Sequence, residues 1–284
     1  MSTLISHSGA VEVTHDQLNR LEEPKPLTET HTPIHHGRFV SLVKQEIEKQ
    51  GFEIIREEFS LRQGAPEMAP NGFRATNGFD DLFGLIKVKG TLEGVDHSIG
   101  VRGSNTMNFS RQLGAGNHVM VCDNLCFFAQ VILGRKHTAN IWNDLPDMVG
   151  VALNEIAVAF EYDKVRTEVY RNSRISDQKA HDVMMRSIQG GNKDQQTPAS
   201  KLGAWVNEWL NPSHDEFKPR NAWSLINAHT EVAKSWGFDS MAKRTEKVQG
   251  IMDFGLGVHG KAKDALSDRY TAEQIDACEI AFAA

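Results

Sequence analysis

The sequence contains no uninterrupted apolar run close to the length that crosses a bilayer, which argues against a transmembrane helix. Its start, MSTLISHSGAVEVTHDQLNRLEE, has neither a basic stretch nor an apolar segment, so no secretory signal is expected. Cysteine is scarce: Cys122, Cys126 and Cys278 are an odd set of three, unlike a disulfide framework and suited to a reducing compartment. A cytoplasmic location follows as the expectation, that of the host cell if the gene is phage-borne. An excess of basic charge is also missing. With 31 Lys and Arg against 37 Asp and Glu, the net charge of −6 argues against a histone-like, broadly adhesive binder. A local basic stripe would still suffice for nucleic acid. There is no internal repeat and no low-complexity tract.

The 284 residues are enough for one large domain or two small ones. Residues 1–31 mix polar residues with Pro24 and Pro26 and show no period, which predicts a mobile arm. Thr32-Pro33 then resembles a helix start, with Phe39, Val43 and Ile47 on one stripe and Gly51 as the stop. Extended segments follow at 52–61, 82–89 and 95–102, and a further strand near 119–122 continues into LCFFAQVIL. After about residue 143 the texture is helical. Asp144, Ser176, Thr197-Pro198, Asn221 and Thr271 each mark a helix start. The expected fold class is α+β: a small antiparallel sheet with a covering helix over 32–142, then a mainly helical part over 143–284.

Several motifs invite a chemical reading and fail on context. Gly255-Leu-Gly257-Val-His-Gly260 spells G-x-G-x-x-G, but a dinucleotide site needs it between a strand and a helix, and a helix precedes it here. His118, Cys122, Cys126 and His137 lack the tight paired spacing of a zinc knuckle, so no metal is assigned. His31, His35 and His36 read as a solvated helix terminus. Asp80-Asp81, His181-Asp182 and His214-Asp215-Glu216 read as turn and helix-start acids. No catalytic residue and no cofactor is called, and the chain reads as a binding protein rather than an enzyme.

The densest polar chemistry lies between Lys87 and Lys136. Lys87 and Lys89 alternate onto one strand face. Arg102, Ser104, Asn105, Asn108 and Arg111 follow, then Arg135 and Lys136. Guanidiniums, amide and hydroxyl donors and glycines are the mix that binds phosphate, and Phe109, Phe127 and Phe128 could stack on bases. These nine polar residues are the expected nucleic-acid contacts.

Two stretches carry a family resemblance. GVRGSNTMNFSRQLGAGNHVMVCDNLCF, ending in Cys122-Asp123-Asn124-Leu125, is similar to the central signature of a broad phage/plasmid-like family of unknown function. HDVMMRSIQGG and VNEWLNPSHDEFKPRNAWSLINAHTEVAK resemble that family's C-terminal half, with Trp223–Ala228 and Thr230-Glu231 as its markers. The resemblance spans roughly residues 35–260 and implies mobile-element biology without supplying catalytic residues. The order helix, strand, strand, strand also looks like the core of single-strand annealing proteins, an analogy of fold alone.

Three functions from different classes follow as expectations. The first is a phage or plasmid accessory that binds or anneals single-stranded DNA during replication or recombination. The second is a non-enzymatic inhibitor whose acidic surface binds a host defence or regulatory protein. The third is a hydrolase or nuclease without a visible motif. Uncovered strand edges predict a homo-oligomer.

Overall fold

The computed structural model describes residues 11–26, 29, 31–62, 81–92, 95–105, 111–119, 124–132, 141–190, 192–233 and 238–279. The chain divides into two compact units. One comprises residues 1–90, 96–116 and 129–157, the other residues 91–95, 117–128 and 158–284.

The sheet follows chain order. Strands β1 (Val11–Val13), β2 (Ile54–Arg62), β3 (Asp81–Leu92), β4 (Val95–Ser104), β5 (Gln112–Val119) and β6 (Asn124–Ile132) lie side by side in that sequence. This antiparallel sheet, followed by a mostly helical half, is the α+β class the sequence predicts. Two details differ. Residues 11–19, expected in a mobile arm, form β1 and a short helix α1 (His15–Asn19), capped by Thr14 and Gln17 in a reciprocal capping box. The strand expected near 119–122, continuing into LCFFAQVIL, is instead two strands, β5 over the glycine-rich QLGAGNHV and β6 over Asn124–Ile132.

Helix α2 (His36–Lys49) buries Phe39, Val40, Val43 and Ile47 completely, as their spacing predicts. Gly51, at φ 80°, takes the left-handed conformation that ends it. Its start is not at Thr32. His35 is the cap, its Nδ1 accepting from the Arg38 backbone N–H at 3.4 Å. On the β2–β3 pair, Phe59 sits directly opposite Gly84. A Cβ on residue 84 would meet the Phe59 ring at 2.6 Å, so the glycine makes room for the aromatic.

Helix α3 (Ile141–Asn172) supplies residues 141–157 to the first unit and 158–172 to the second. It starts before Asp144, with Pro146 in its second turn, where the missing N–H removes one intrahelical bond. The second unit adds α4 (Asp177–Ile188), α5 (Leu202–Leu210), α6 (Ala222–Ala233), α7 (Phe238–Leu256), α8 (Val258–Leu266) and α9 (Ala272–Asp276). Ser176 and Thr271 cap α4 and α9 through side-chain bonds to Lys179 and Gln274. Trp205 and Trp209, one helical turn apart, are each 1% exposed and anchor this core. Trp205 Nε1 donates to the Leu225 carbonyl and Trp209 Nε1 to Asp177 Oδ1.

One charged network is also buried there. Arg166 pairs with Asp163 at 2.8 Å and with Asp253 at 2.9 Å, and the Tyr170 hydroxyl donates to Asp253 at 2.6 Å. The G-x-G-x-x-G stretch is the joint between α7 and α8, where Gly257 at φ 63° stands as the cap of α8. Among the described residues no helix is long and apolar enough to cross a membrane.

Candidate nucleic-acid interface

Of the nine residues expected to meet phosphate, three are buried. Arg111 is buried, and its guanidinium is occupied by the protein: Nη2 donates to the Ile34 carbonyl at 2.7 Å and to Asn105 Oδ1 at 2.8 Å. Its Nη1 donates to His36 Nδ1 at 2.9 Å, and the cation lies 5.0 Å from the centre of the Phe39 ring. Asn105 Oδ1 also accepts from the Ile34 N–H. Burial pulls the Arg111 pKa down to about 9, partly opposed by the charge of Asp81. Ser104 and Asn105 are buried as well. A guanidinium committed to two acceptors and an imidazole, with no exposed edge, positions α2 against β4 instead of reaching a phosphate. The three neighbouring histidines, His31, His35 and His36, share this burial and are not a solvated terminus.

Of the other six, three are described. Lys87 on β3 and Arg102 on β4 are half-buried, and Lys89 is exposed, its ammonium 3.0 Å from Glu53. Asn108, Arg135 and Lys136 lie outside the described residues, as do the phenyl rings of Phe109, Phe127 and Phe128. The candidate zinc ligands His118, Cys122, Cys126 and His137 have no described side chains. Among the described residues no group of three His, Cys, Asp or Glu has a metal-holding arrangement.

Sequence reasoning missed Arg56. The β2–β3 register places it directly opposite Lys87, next to a bulge between Ile54 and Arg56. Two cations facing each other across a strand pair repel. Arg56 is eased by its own Glu58, at 2.7 Å, whose side chain is almost covered. Period-two alternation sets Arg56, Lys87 and Lys89 on one face of the pair and Glu57, Phe59 and Ile86 on the other. The second face meets α2, where Lys44 pairs with Glu57 at 2.6 Å. The first face is closed at one end by buried Ser60, Asp81 and Leu85, and opens toward Arg56 and Lys89.

Comparison with known proteins adds nothing. No family model matches the chain, and no curated protein and no solved structure matches it. The cationic end of the β2–β3 pair therefore stands on its geometry.

Proposed function

We propose that the protein is an accessory of phage or plasmid replication that binds single-stranded DNA at the cationic end of β2 and β3. The observation that carries this reading is Arg56 directly across from Lys87, with Lys89 next on the same face. A phosphate placed between Arg56 and Lys87 would accept charge-assisted hydrogen bonds from both. Arg102 on the neighbouring strand β4 extends the basic supply. The mobile-element assignment rests on the sequence resemblance alone.

The test is binding of a labelled single-stranded oligonucleotide at two salt concentrations. Wild type binds at low salt, and Arg56→Ala and Lys87→Ala each lower the salt slope by about 0.7, the share of one phosphate on a single strand. Ser213→Ala, in the second unit, leaves binding unchanged. No wild-type binding at low salt would remove the proposal and turn attention to a host-protein partner for this acidic chain.

A further inference from the structure

We propose that the second unit carries a site for phosphate groups, built from Arg171, Arg174 and Arg220 beside the indoles of Trp209 and Trp223. Two short backbone stretches bring these residues together. The Ile175 N–H donates to the Arg220 carbonyl at 3.0 Å and the Ala222 N–H to the Ser173 carbonyl at 2.8 Å. The chain leaving α3 therefore runs antiparallel to the chain entering α6. Arg174 and Asn221 are bridge partners there, which sets their Cα atoms about 5 Å apart. Asn221 Nδ2 also donates to the Arg171 carbonyl at 2.9 Å. Three guanidiniums thus start from one small patch of a chain whose net charge is −6.

Two of the three stack on buried aromatics. Arg171 Cζ stands 5.3 Å from the centre of the Trp223 ring, and Arg220 Cζ 5.2 Å from that of Trp209. Stacking orients the plane of a guanidinium and leaves its N–H edge for oxygen acceptors, the geometry that suits phosphate. Arg220 gives Nη1 to Asp177, and a guanidinium has five N–H donors, so others remain. Arg174 is exposed and makes no ion pair among the described residues.

Packing of the core leaves two features unexplained. Arg220 has φ 56°, and no other non-glycine residue among those described is in the left-handed region. Glycine or asparagine fits that conformation more easily, and strain of this kind is retained where a side chain serves a site. The indole N–H groups differ as well. Trp205 and Trp209 donate to Leu225 and Asp177, whereas Trp223 Nε1 is buried without an acceptor. Such a donor destabilises the fold until something accepts from it. A phosphate oxygen held by the neighbouring Arg171 supplies that acceptor. The two indoles are buried in the core beneath their guanidiniums, so the site reads phosphate and not bases.

All of these residues belong to the second unit, and the first arm of the test uses no DNA, so its outcome is separate from the strand-pair proposal. Proton–nitrogen correlation spectra of the full chain follow the five indole N–H signals during titration with pyrophosphate at constant ionic strength. The Trp223 signal, identified by its absence in Trp223→Phe, moves downfield and saturates, while the Trp205 signal stays in place. Arg174→Gln, an exposed change, weakens the apparent Kd roughly tenfold, the loss of one hydrogen bond to a charged group. A second arm uses a single-stranded oligonucleotide. A Trp223 shift at lower phosphate concentration than with pyrophosphate assigns the site to nucleic acid, and a shift with pyrophosphate alone assigns it to a small phosphate ligand. A Trp223 signal unmoved in both arms, or a shift with wild-type affinity in Arg174→Gln, would overturn the proposal.

Discussion

Gly103 lies flat beneath the Arg111 side chain, in the space its own Cβ would otherwise need. A methyl group there runs into Arg111 Cδ, with Cζ at 2.7 Å. Arg111 cannot swing aside without surrendering its bonds to Ile34, Asn105 and His36. Gly103→Ala should therefore lose about 1–3 kcal/mol, the usual cost of overpacking a filled interior. A denaturant midpoint equal to wild type would show that the guanidinium has room to move.

Arg111→Ala removes the cation that holds Ile34 and Asn105 together, and should cost about 3–5 kcal/mol, as for breaking a buried charged network. Its effect on oligonucleotide binding should follow the loss of folded protein and no more. A well-folded Arg111→Ala variant with a reduced salt slope would return Arg111 to the phosphate contacts.

These two residues also mark the limit of what the sequence conveys. The stripe of α2, the Gly51 stop and the Ser176 and Thr271 caps are set by neighbours within a turn, and all four are legible. The burial of Arg111 depends on Ile34, 77 positions away, and a list of basic residues holds no trace of it. Arg56 was invisible as a site residue for the same reason, since only strand register sets it against Lys87. A helix is read ahead of Gly255, but its start and stripe go unmarked because Gly250 and Gly255 interrupt the pattern that packing nonetheless buries at Val248, Ile251 and Met252. His35 is an unusual capping residue, which moved the start of α2.

Gly37 allows α1 to rest directly on α2. A Cβ there would stand 2.7 Å from Asn19 Cα and 2.8 Å from its nitrogen, backbone atoms that cannot rotate away. Gly37→Ala should strengthen α2 by propensity, up to about 1 kcal/mol, yet dislodge α1. Residues 11–21 would then lose exchange protection at neutral pH. Full protection in the variant would mean that α1 docks elsewhere.

The second unit should be sensitive at both ends of the pH scale. Burial raises Tyr170 well above the usual phenol range, with Asp253 adding to the shift. Its folded pKa exceeds the unfolded value, so the stability it confers is present below about pH 10 and declines as pH rises further. His229 is displaced the other way: burial, with Arg244, brings it down to about 3. Its contribution is intact above about 6.5 and falls away as pH drops toward the folded value. Tyr170→Phe should forfeit roughly 1–3 kcal/mol at neutral pH through its lost bond to Asp253, but flatten the alkaline decline. Urea midpoints at pH 7 and 10.5 decide this, and an alkaline drop as steep in Tyr170→Phe would assign the effect to another group.

Trp205→Ala should cost about 3–5 kcal/mol, since the indole is fully enclosed and its N–H is bonded to Leu225. A variant that melts with wild type but loses a binding activity would make this indole a ligand platform.

The placement of the indoles has an optical consequence. Of the five tryptophans, only Trp142 belongs to the first unit, while Trp205, Trp209, Trp223 and Trp236 belong to the second. Intrinsic emission is thus mainly a gauge of the helical unit and nearly blind to the sheet. The Arg111 cluster could collapse with most of the fluorescence signal unchanged. Circular dichroism near 215 nm or a single probe dye on the sheet would follow the half that carries the basic strand pair, and a gap between the two melting curves would measure how independently the units unfold.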